Sequence, residues 1–371
     1  MAVNNFDNYE TFARIVVIGV GGAGNNAVNR MIDDNVSSVE YYVMNTDMQA
    51  LSRSKAPNRI QLGPESTQGL GAGGNPEVGR KAAEESIDTI RQVVKGANLV
   101  FVAAGMGGGT GTGAAPVIAR VAKEEGALTI AIVTRPFTFE GKKRSGYAVD
   151  GLNELKSAVD SIIIVSNDKL LMVDGTIPAS EAFAKSDNVL SQSVKTITDL
   201  ILVPAFINLD FADIKNTLSD SGIALIGYGI GSGPQRAQEA ANIAISSPLL
   251  EANISGARRA ICSITTGNVC SLYEAQECVN RIIEATGNSV DIKFGLSFNA
   301  ELQDQLLVSV IATDFSEEFD YTTIPTYETP IQQTEEEIQP EEQPDVQHPV
   351  EEENKEEKHS FLPNFLKNRR K

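Results

Sequence analysis

Residues Ala103 to Pro116 read "AAGMGGGTGTGAAP". Six glycines and two threonines fall between Gly105 and Gly113, directly behind the apolar run "ANLVFVAAG". Glycine at that density costs backbone entropy on folding, so something must require it. The usual requirement is a ligand that touches bare backbone N–H groups, and phosphate is the commonest. The apolar run reads as a buried strand and "GAAPVIARVAKEEG" as the helix after it. The glycines therefore sit at the carboxyl end of a strand, where open α/β sheets bind ligands.

Working outward, the first half of the chain alternates short apolar strands with helical stretches, the pattern of a parallel α/β sheet. "RIVVIGV" (Arg14–Val20), "VEYYVMNTD" (Val39–Asp47), "LTIAIVT" and "SIIIVSN" read as further strands. "AGNNAVNRMID" and "EVGRKAAEESIDTIRQVVKG" read as helices. From Ser180 to Val203 neither Gly nor Pro interrupts a helical apolar pattern, which predicts one helix of roughly 35 Å. Beyond it, "GIALIGYGIG", "RAICSITTG", "VDIKFGLSFN" and "LLVSVIATDF" read as strands around two helices, a smaller α/β unit ending near Phe315. The expected organisation is a flexible N-terminus (1–13), a parallel-sheet nucleotide-binding domain (14–179), a core helix (180–203) and a C-terminal α/β domain (204–315). An acidic disordered linker (316–358) and a terminal peptide (359–371) follow.

A chain of 371 residues with 42% hydrophobic content is long enough for two domains with sizeable cores. Its net charge of -18 argues against nucleic acid as a partner. Fifteen acids against two lysines between Ser316 and Lys358 supply -13 of that, leaving -5 for the remainder. So acidic a segment, rich in Gln, Pro and Thr, cannot bury enough apolar area to fold. The closing "SFLPNFLKNRRK" turns apolar and then basic, as a peptide that docks on a partner does. No apolar run reaches transmembrane length and no signal-peptide core begins the chain. The three cysteines, Cys262, Cys270 and Cys278, fit neither a disulfide framework nor a zinc site, and read as free thiols of a cytoplasmic protein. Both histidines, His348 and His359, lie outside the globular part, which excludes Ser-His-Asp or Cys-His catalysis and histidine-held metals there.

Two further glycine stretches join the first: "GVGGAG" (Gly19–Gly24) and "GLGAGGNP" (Gly69–Pro76). "GVGGAG" follows a strand and opens a helix, and Asp47 ends the next strand where a ribose-binding acid would stand. Taken alone this suggests a dinucleotide-binding dehydrogenase. Three donor-rich loops, however, suit a longer anion such as a triphosphate. "GGGTGTGAA" places Ala114 and Ala115 where a P-loop needs Lys and a hydroxyl, which argues against a Walker NTPase. A nucleotide-binding module without turnover is the third reading.

"GVGGAGNNAVNRM", "NTD", "GAGGNPEVGR", "GGGTGTGAAPV", "PFTFEGKKR" and "NLDFADIK" occur in the order found in FtsZ, the bacterial tubulin-like division GTPases. From Arg14 to Phe315 the chain resembles that family. The resemblance implies a tubulin-like fold, binding of GTP or GDP with Mg²⁺, and head-to-tail self-assembly into the cell-division ring. It implies nucleotide contacts at Gly21, Gly22, Ala23, Gly24, Asn25, Asn26 and Asn45. In the second and third loops it implies contacts at Gly73, Gly74, Gly107, Gly108, Gly109, Thr110, Gly111, Thr112 and Gly113. Glu140 and Arg144 would hold the ribose or phosphate end, and Asn167, Phe183 and Asp187 the guanine. A carboxylate at Asp187 suits guanine, because it accepts from both N1–H and N2–H₂, a pair that adenine lacks.

"PAFINLDFADIKNTL" carries Asp210 and Asp213 three residues apart. On their own they read as a helix cap and a dipole complement. If Asp187 holds the base, the core helix carries both acids too far to reach the γ-phosphate of their own nucleotide. A head-to-tail contact would supply them from a second copy, and one that does not close builds a filament. The resemblance assigns Asp210 and Asp213 to polarising the attacking water, with Asn208 helping to position it. It also implies that Phe361, Leu362, Pro363, Phe365, Leu366 and Lys367 dock on membrane-tethering and accessory division proteins. Ser360 and Lys367 stand where the family's terminal peptide has an acid and an Arg. The protein is expected in the cytoplasm, assembling beneath the membrane at the division site.

Overall fold

The apolar runs of the first half become strands buried on both faces, as parallel sheets require. In the computed structural model Val16, Val17, Ile18 and Leu99 through Ala104 are wholly buried. The residues described are 13–36, 38–169, 178–203, 205–247, 252–267, 270–287 and 289–315, and they fall in one compact unit. The expectations for the N-terminal arm up to residue 12, the acidic linker and the terminal peptide lie outside them.

The strands are β1 (Ile15–Val20), β2 (Glu40–Asn45), β3 (Asn58–Gln61), β4 (Leu99–Gly105), β5 (Leu128–Arg135), β6 (Ser161–Ser166), β7 (Gly222–Gly231), β8 (Ala257–Thr266), β9 (Asp291–Phe298) and β10 (Leu306–Phe315). They form one sheet in the order β3-β2-β1-β4-β5-β6-β7-β10-β8-β9. All pairings from β3 to β7 are parallel, β10 runs antiparallel to β7 and β8, and β8 is parallel to β9. Alternate side chains feed opposite layers. Val16, Ile18 and Val20 pack with helix Thr110–Glu124, and Ile15 and Val17 pack with helices Gly21–Asp33 and Ala179–Leu202.

β1 lies between β2 and β4, so the chain reverses its direction of winding there. That switch point leaves a crevice outside the carboxyl ends of β1 and β4, the place where such sheets take ligands. Val20 is in register with Ala104, which sets the turn after β1 beside the turn after β4.

The fold class is that expected, and the core helix runs from Ala179 to Leu202 with Val189, Leu190, Val194 and Ile197 buried. The strands of the second half continue the same sheet, because Ser161, Ile162 and Ile163 of β6 pair with Gly222, Ile223 and Ala224 of β7. The structure differs from the sequence reading in three places. The stretch read as one helix from Glu77 to Gly96 breaks at Ser86, whose hydroxyl accepts the Gly63 N–H at 3.0 Å, between helices Pro76–Glu85 and Ile87–Val94. Helix Lys142–Ala158, strand β3 and helix Met48–Arg53 were not anticipated. Finally, helices Gly21–Asp33 and Thr110–Glu124 begin two and three residues earlier than the stretches read as helix, which start at Ala23 and Gly113.

Candidate nucleotide site

That early start decides the chemistry of the crevice. The first turn of any helix leaves N–H groups without intrahelical partners and carries positive dipole charge. At three other helix starts side chains satisfy such groups: Asp47 accepts from Gln49 N–H, Asn75 from Glu77 N–H, and Ser271 from Glu274 N–H. The two helices opening on the crevice have Val20 and Gly109 in the capping position, and neither supplies a side-chain acceptor. Two sets of bared donors thus converge where an anion would cap both.

The cavity in front of them holds about 410 Å³. Of the residues assigned to the nucleotide, Gly22, Ala23, Asn26, Gly108, Gly109, Thr110, Gly111, Glu140, Arg144, Asn167, Phe183 and Asp187 line it. Gly105, Met106, Thr134, Pro136 and Ser186 line it as well and were not assigned.

The other assigned residues build the wall from behind. Asn25 is buried, and turning its amide end for end lets the nitrogen donate to the carbonyls of Gly21 and Gly19 at 2.8 and 3.1 Å. Asn45 is also buried, and its side-chain oxygen accepts the Asp47 N–H at 3.2 Å. Thr112 accepts the Gly107 N–H through its hydroxyl at 2.8 Å. Thr112 and Gly113 line the neighbouring cleft beside Asn75 and Arg80 instead of this cavity. Gly73 and Gly74 lie in the loop ahead of helix Pro76–Glu85, with open space where a Cβ would point.

The glycines divide in the same way. A Cβ at Gly24 would meet the Ala103 carbonyl, and one at Gly113 the Pro76 carbonyl, so both are small because two backbones touch. Gly21, at φ +70°, approaches the Gly111 amide nitrogen, which ties the first loop to the third. Only Gly22 and Gly108 among the lining glycines have nothing within 4 Å of a Cβ position. Their missing side chains leave room for a ligand rather than for protein.

The far end of the cavity carries a different chemistry. Phe183 is 46% exposed and stands edge-on to buried Phe137, with ring centroids 5.2 Å apart. Phe139 stacks on Phe137, with centroids 5.0 Å apart, and is itself exposed. Asp187 follows Phe183 by one helical turn. Burial pushes its carboxyl up to about 6, with the Arg30 guanidinium opposing that shift. Asn167, at the end of β6, and Ser186 are both buried and joined by a 2.8 Å hydrogen bond. At the side of the cavity Glu140 and Arg144 pair at 2.7 Å. Glu140 also accepts the Phe137 N–H at 2.9 Å, which holds the turn.

Thr46 escaped the sequence reading although it stands between Asn45 and Asp47. Its hydroxyl lies 2.7 Å from that of Thr110, and its carbonyl accepts the Gly71 N–H at 3.1 Å. It thereby links the second glycine loop to the third. Asp47, the candidate ribose acid of a dehydrogenase, is occupied in capping helix Met48–Arg53 and does not line the cavity.

Asp210, Asp213 and Asn208 are absent from this cavity. Asp210 accepts the Asp213 N–H at 2.8 Å, and Asp213 accepts the Asp210 N–H at 3.4 Å, a reciprocal cap on helix Phe211–Leu218. Asn208 accepts the Ala205 N–H at 2.7 Å. From Asp187 to Leu202 the core helix advances roughly 22 Å at helical rise before this corner begins.

Residues 14–174 match the family model described as the GTPase domain of the tubulin/FtsZ family, and residues 222–316 match the C-terminal domain of the FtsZ family. An FtsZ dimer from M. jannaschii superposes with a TM-score of 0.78 at 39% identity, over 82% of this chain and 89% of that one.

The chain belongs to the FtsZ family.

A wider likeness, of fold alone, extends to CetZ1 from Haloferax volcanii, at 21% identity and TM-score 0.71 over 81% of this chain and 93% of that one. An FtsZ GTPase domain binds GTP and GDP, and the cavity suits that ligand end to end: bared amides for phosphates, an exposed ring for a base, and an acceptor beside it. Among the described residues no three His, Cys, Asp or Glu side chains gather around one point that could hold a metal ion. Cys262 and Cys278 are buried, and burial raises both thiols, Cys278 to about 12, which leaves them inert as nucleophiles. No helix of the described residues is long and apolar enough to cross a membrane.

Proposed function

We propose that this FtsZ-family chain is a cytoskeletal GTPase whose hydrolytic site forms only between two copies. The observation that carries the reading is the separation of the binding half from the acidic half. The cavity has donors for phosphate but lacks Asp210 and Asp213, while those acids stand beyond the far end of the core helix. In a head-to-tail pair the first copy grips the triphosphate. The second presents Asp210 and Asp213 to polarise the attacking water, with Asn208 as its positioning partner. Mg²⁺ carried by the phosphates neutralises the charge that develops on them. Such a contact is heterologous, and copies added in one direction make a filament.

Exposed apolar side chains lie at both ends of this arrangement. Leu70 stands in the second glycine loop, and Phe206 beside Asn208. Pairing of copies is further supported by the M. jannaschii relative, described as a dimer. The filaments would form the division ring in the cytoplasm beneath the membrane. The terminal peptide around Phe361, Leu362, Pro363, Phe365, Leu366 and Lys367 would dock on accessory and membrane-tethering proteins.

The test is phosphate release from GTP as a function of protein concentration, with light scattering recorded on the same samples. Turnover per molecule rises from near zero together with scattering. A constant value down to dilute protein refutes the shared site.

A further inference from the structure

The base end of the cavity contains a buried pair whose use is not explained by packing. Ser186 and Asn167 are 19 residues apart, both more than nine-tenths buried, and both line the cavity. The Ser186 hydroxyl donates to Asn167 Oδ1 at 2.8 Å. Ser186 sits one turn beyond Phe183 and directly before Asp187, so one helix face presents the ring, the hydroxyl and the carboxylate.

A carboxamide has an acceptor end and a donor end of almost equal size, and nothing in its shape decides which faces a ligand. A hydroxyl can donate or accept, and here it donates to Oδ1, which sets the choice. The oxygen is held toward the helix, and the Nδ2 amino group is the end left for the cavity. Beside the Asp187 acceptor the site then offers a donor followed by acceptors. Guanine presents the complement along one edge: the O6 acceptor, then the N1–H and N2–H₂ donors. Adenine places an amino group at position 6 and an acceptor at N1, which opposes the site at both points. A flipped Asn167 would turn Oδ1 toward that amino group and erase part of the discrimination.

We infer that Ser186 is a specificity-positioning residue, whose hydroxyl holds the Asn167 amide with its amino group toward guanine O6. The inference rests on the guanine site of the functional reading above and assigns Ser186 no part in hydrolysis. Ser186→Ala removes the hydroxyl and suits a helix, so the variant folds.

Equilibrium binding of GTP, 6-thio-GTP and ITP to the full-length protein tests it. 6-Thio-GTP replaces O6 by a poor acceptor, and ITP lacks only the 2-amino group that Asp187 reads. The unaltered protein prefers GTP over both analogues. In Ser186→Ala, GTP affinity falls about five- to tenfold, the scale of one hydrogen bond. The preference for GTP over 6-thio-GTP collapses, while the preference for GTP over ITP is kept. A variant that weakens all three nucleotides alike, with both preferences intact, overturns the inference and leaves the GTP site standing. An unaltered protein with no preference for guanine overturns the site assignment and, with it, the role of Ser186.

Discussion

The glycine-lined cavity and the Asp210 corner are opposite solutions to the same local problem. Each contains the start of a helix, with N–H groups that need acceptors. At the corner the chain supplies its own: Asp210 and Asp213 cap each other's amides, so the helix is finished without outside help. At the cavity Val20 and Gly109 supply no side-chain acceptor, and two helices are left open toward the same space. The difference separates stability from function. A capped start holds acids in place, whereas an uncapped pair waits for a ligand to complete it.

Substitutions that exchange these properties sharpen the contrast, and the largest effect is expected at the corner. Asp210→Asn keeps an oxygen for the Asp213 N–H and so keeps the cap. It removes the carboxylate, and turnover of GTP should fall about 100-fold or more, the scale of a lost general base. GTP affinity measured by equilibrium binding should change less than about twofold, because no part of the corner lines the cavity. Turnover near the unaltered rate would remove Asp210 from the proposed chemistry.

Next in size is a pair that tells the two kinds of glycine apart. Gly108→Val adds bulk where nothing stands within 4 Å, so it should leave the melting temperature alone and weaken GTP at least tenfold, about 1.4 kcal/mol. Gly113→Ala drives a Cβ against the Pro76 carbonyl and should cost about 1–3 kcal/mol of stability in a denaturant titration. Equal loss of stability in both variants would cancel the distinction.

Glycine density in sequence marks one kind of glycine and not the other. The density of "GGGTGTG" points to a ligand, and Gly108 does line the cavity with open space where a Cβ would stand. Gly113 is small for a backbone crossing between segments 37 residues apart, and local pattern carries no sign of that. Helix Lys142–Ala158 was hidden for the same reason. A Cβ at Gly151 would strike Thr112 and Met106, so a tight helix crossing places glycine inside a helix and disguises it as a loop. Ser86 breaks a stretch of good helical periodicity because its hydroxyl serves Gly63, again a tertiary demand. By contrast, the strands of the parallel sheet and the core helix were legible. Burial on both faces and unbroken helical spacing each leave a mark in sequence. Ser186 and Thr46 left none: each acts through the side chain of another residue.

The acids at the two ends also differ in how pH reaches them. Burial lifts Asp187 to about 6 in the nucleotide-free chain, and in the proposed site it is the ionised form that would accept from guanine. Affinity for GTP should therefore fall as pH drops through 6, by about fourfold at pH 5.5. The linkage to folding runs the other way. A carboxyl raised above its unfolded value favours the fold at low pH and loses that contribution as pH rises through 6. Asp187→Asn should raise the melting temperature of the nucleotide-free protein at pH 7.5 and weaken GTP binding at every pH. A pH-independent affinity between 7.5 and 5.5 would separate Asp187 from the base.

The smallest effect belongs to a cap with no ligand to serve. Ser271→Ala removes the acceptor for Glu274 N–H and should cost about 1 kcal/mol of stability, with GTP affinity and turnover per filament subunit unchanged.

The row formed by Phe139, Phe137 and Phe183 runs from solvent through a buried ring to the mouth of the cavity. The chain contains no tryptophan. An indole placed at position 139 would be a solitary fluorophore, two rings away from any base stacked on Phe183. Its emission would follow filling and emptying of the cavity in real time, without a labelled nucleotide and against a dark protein background.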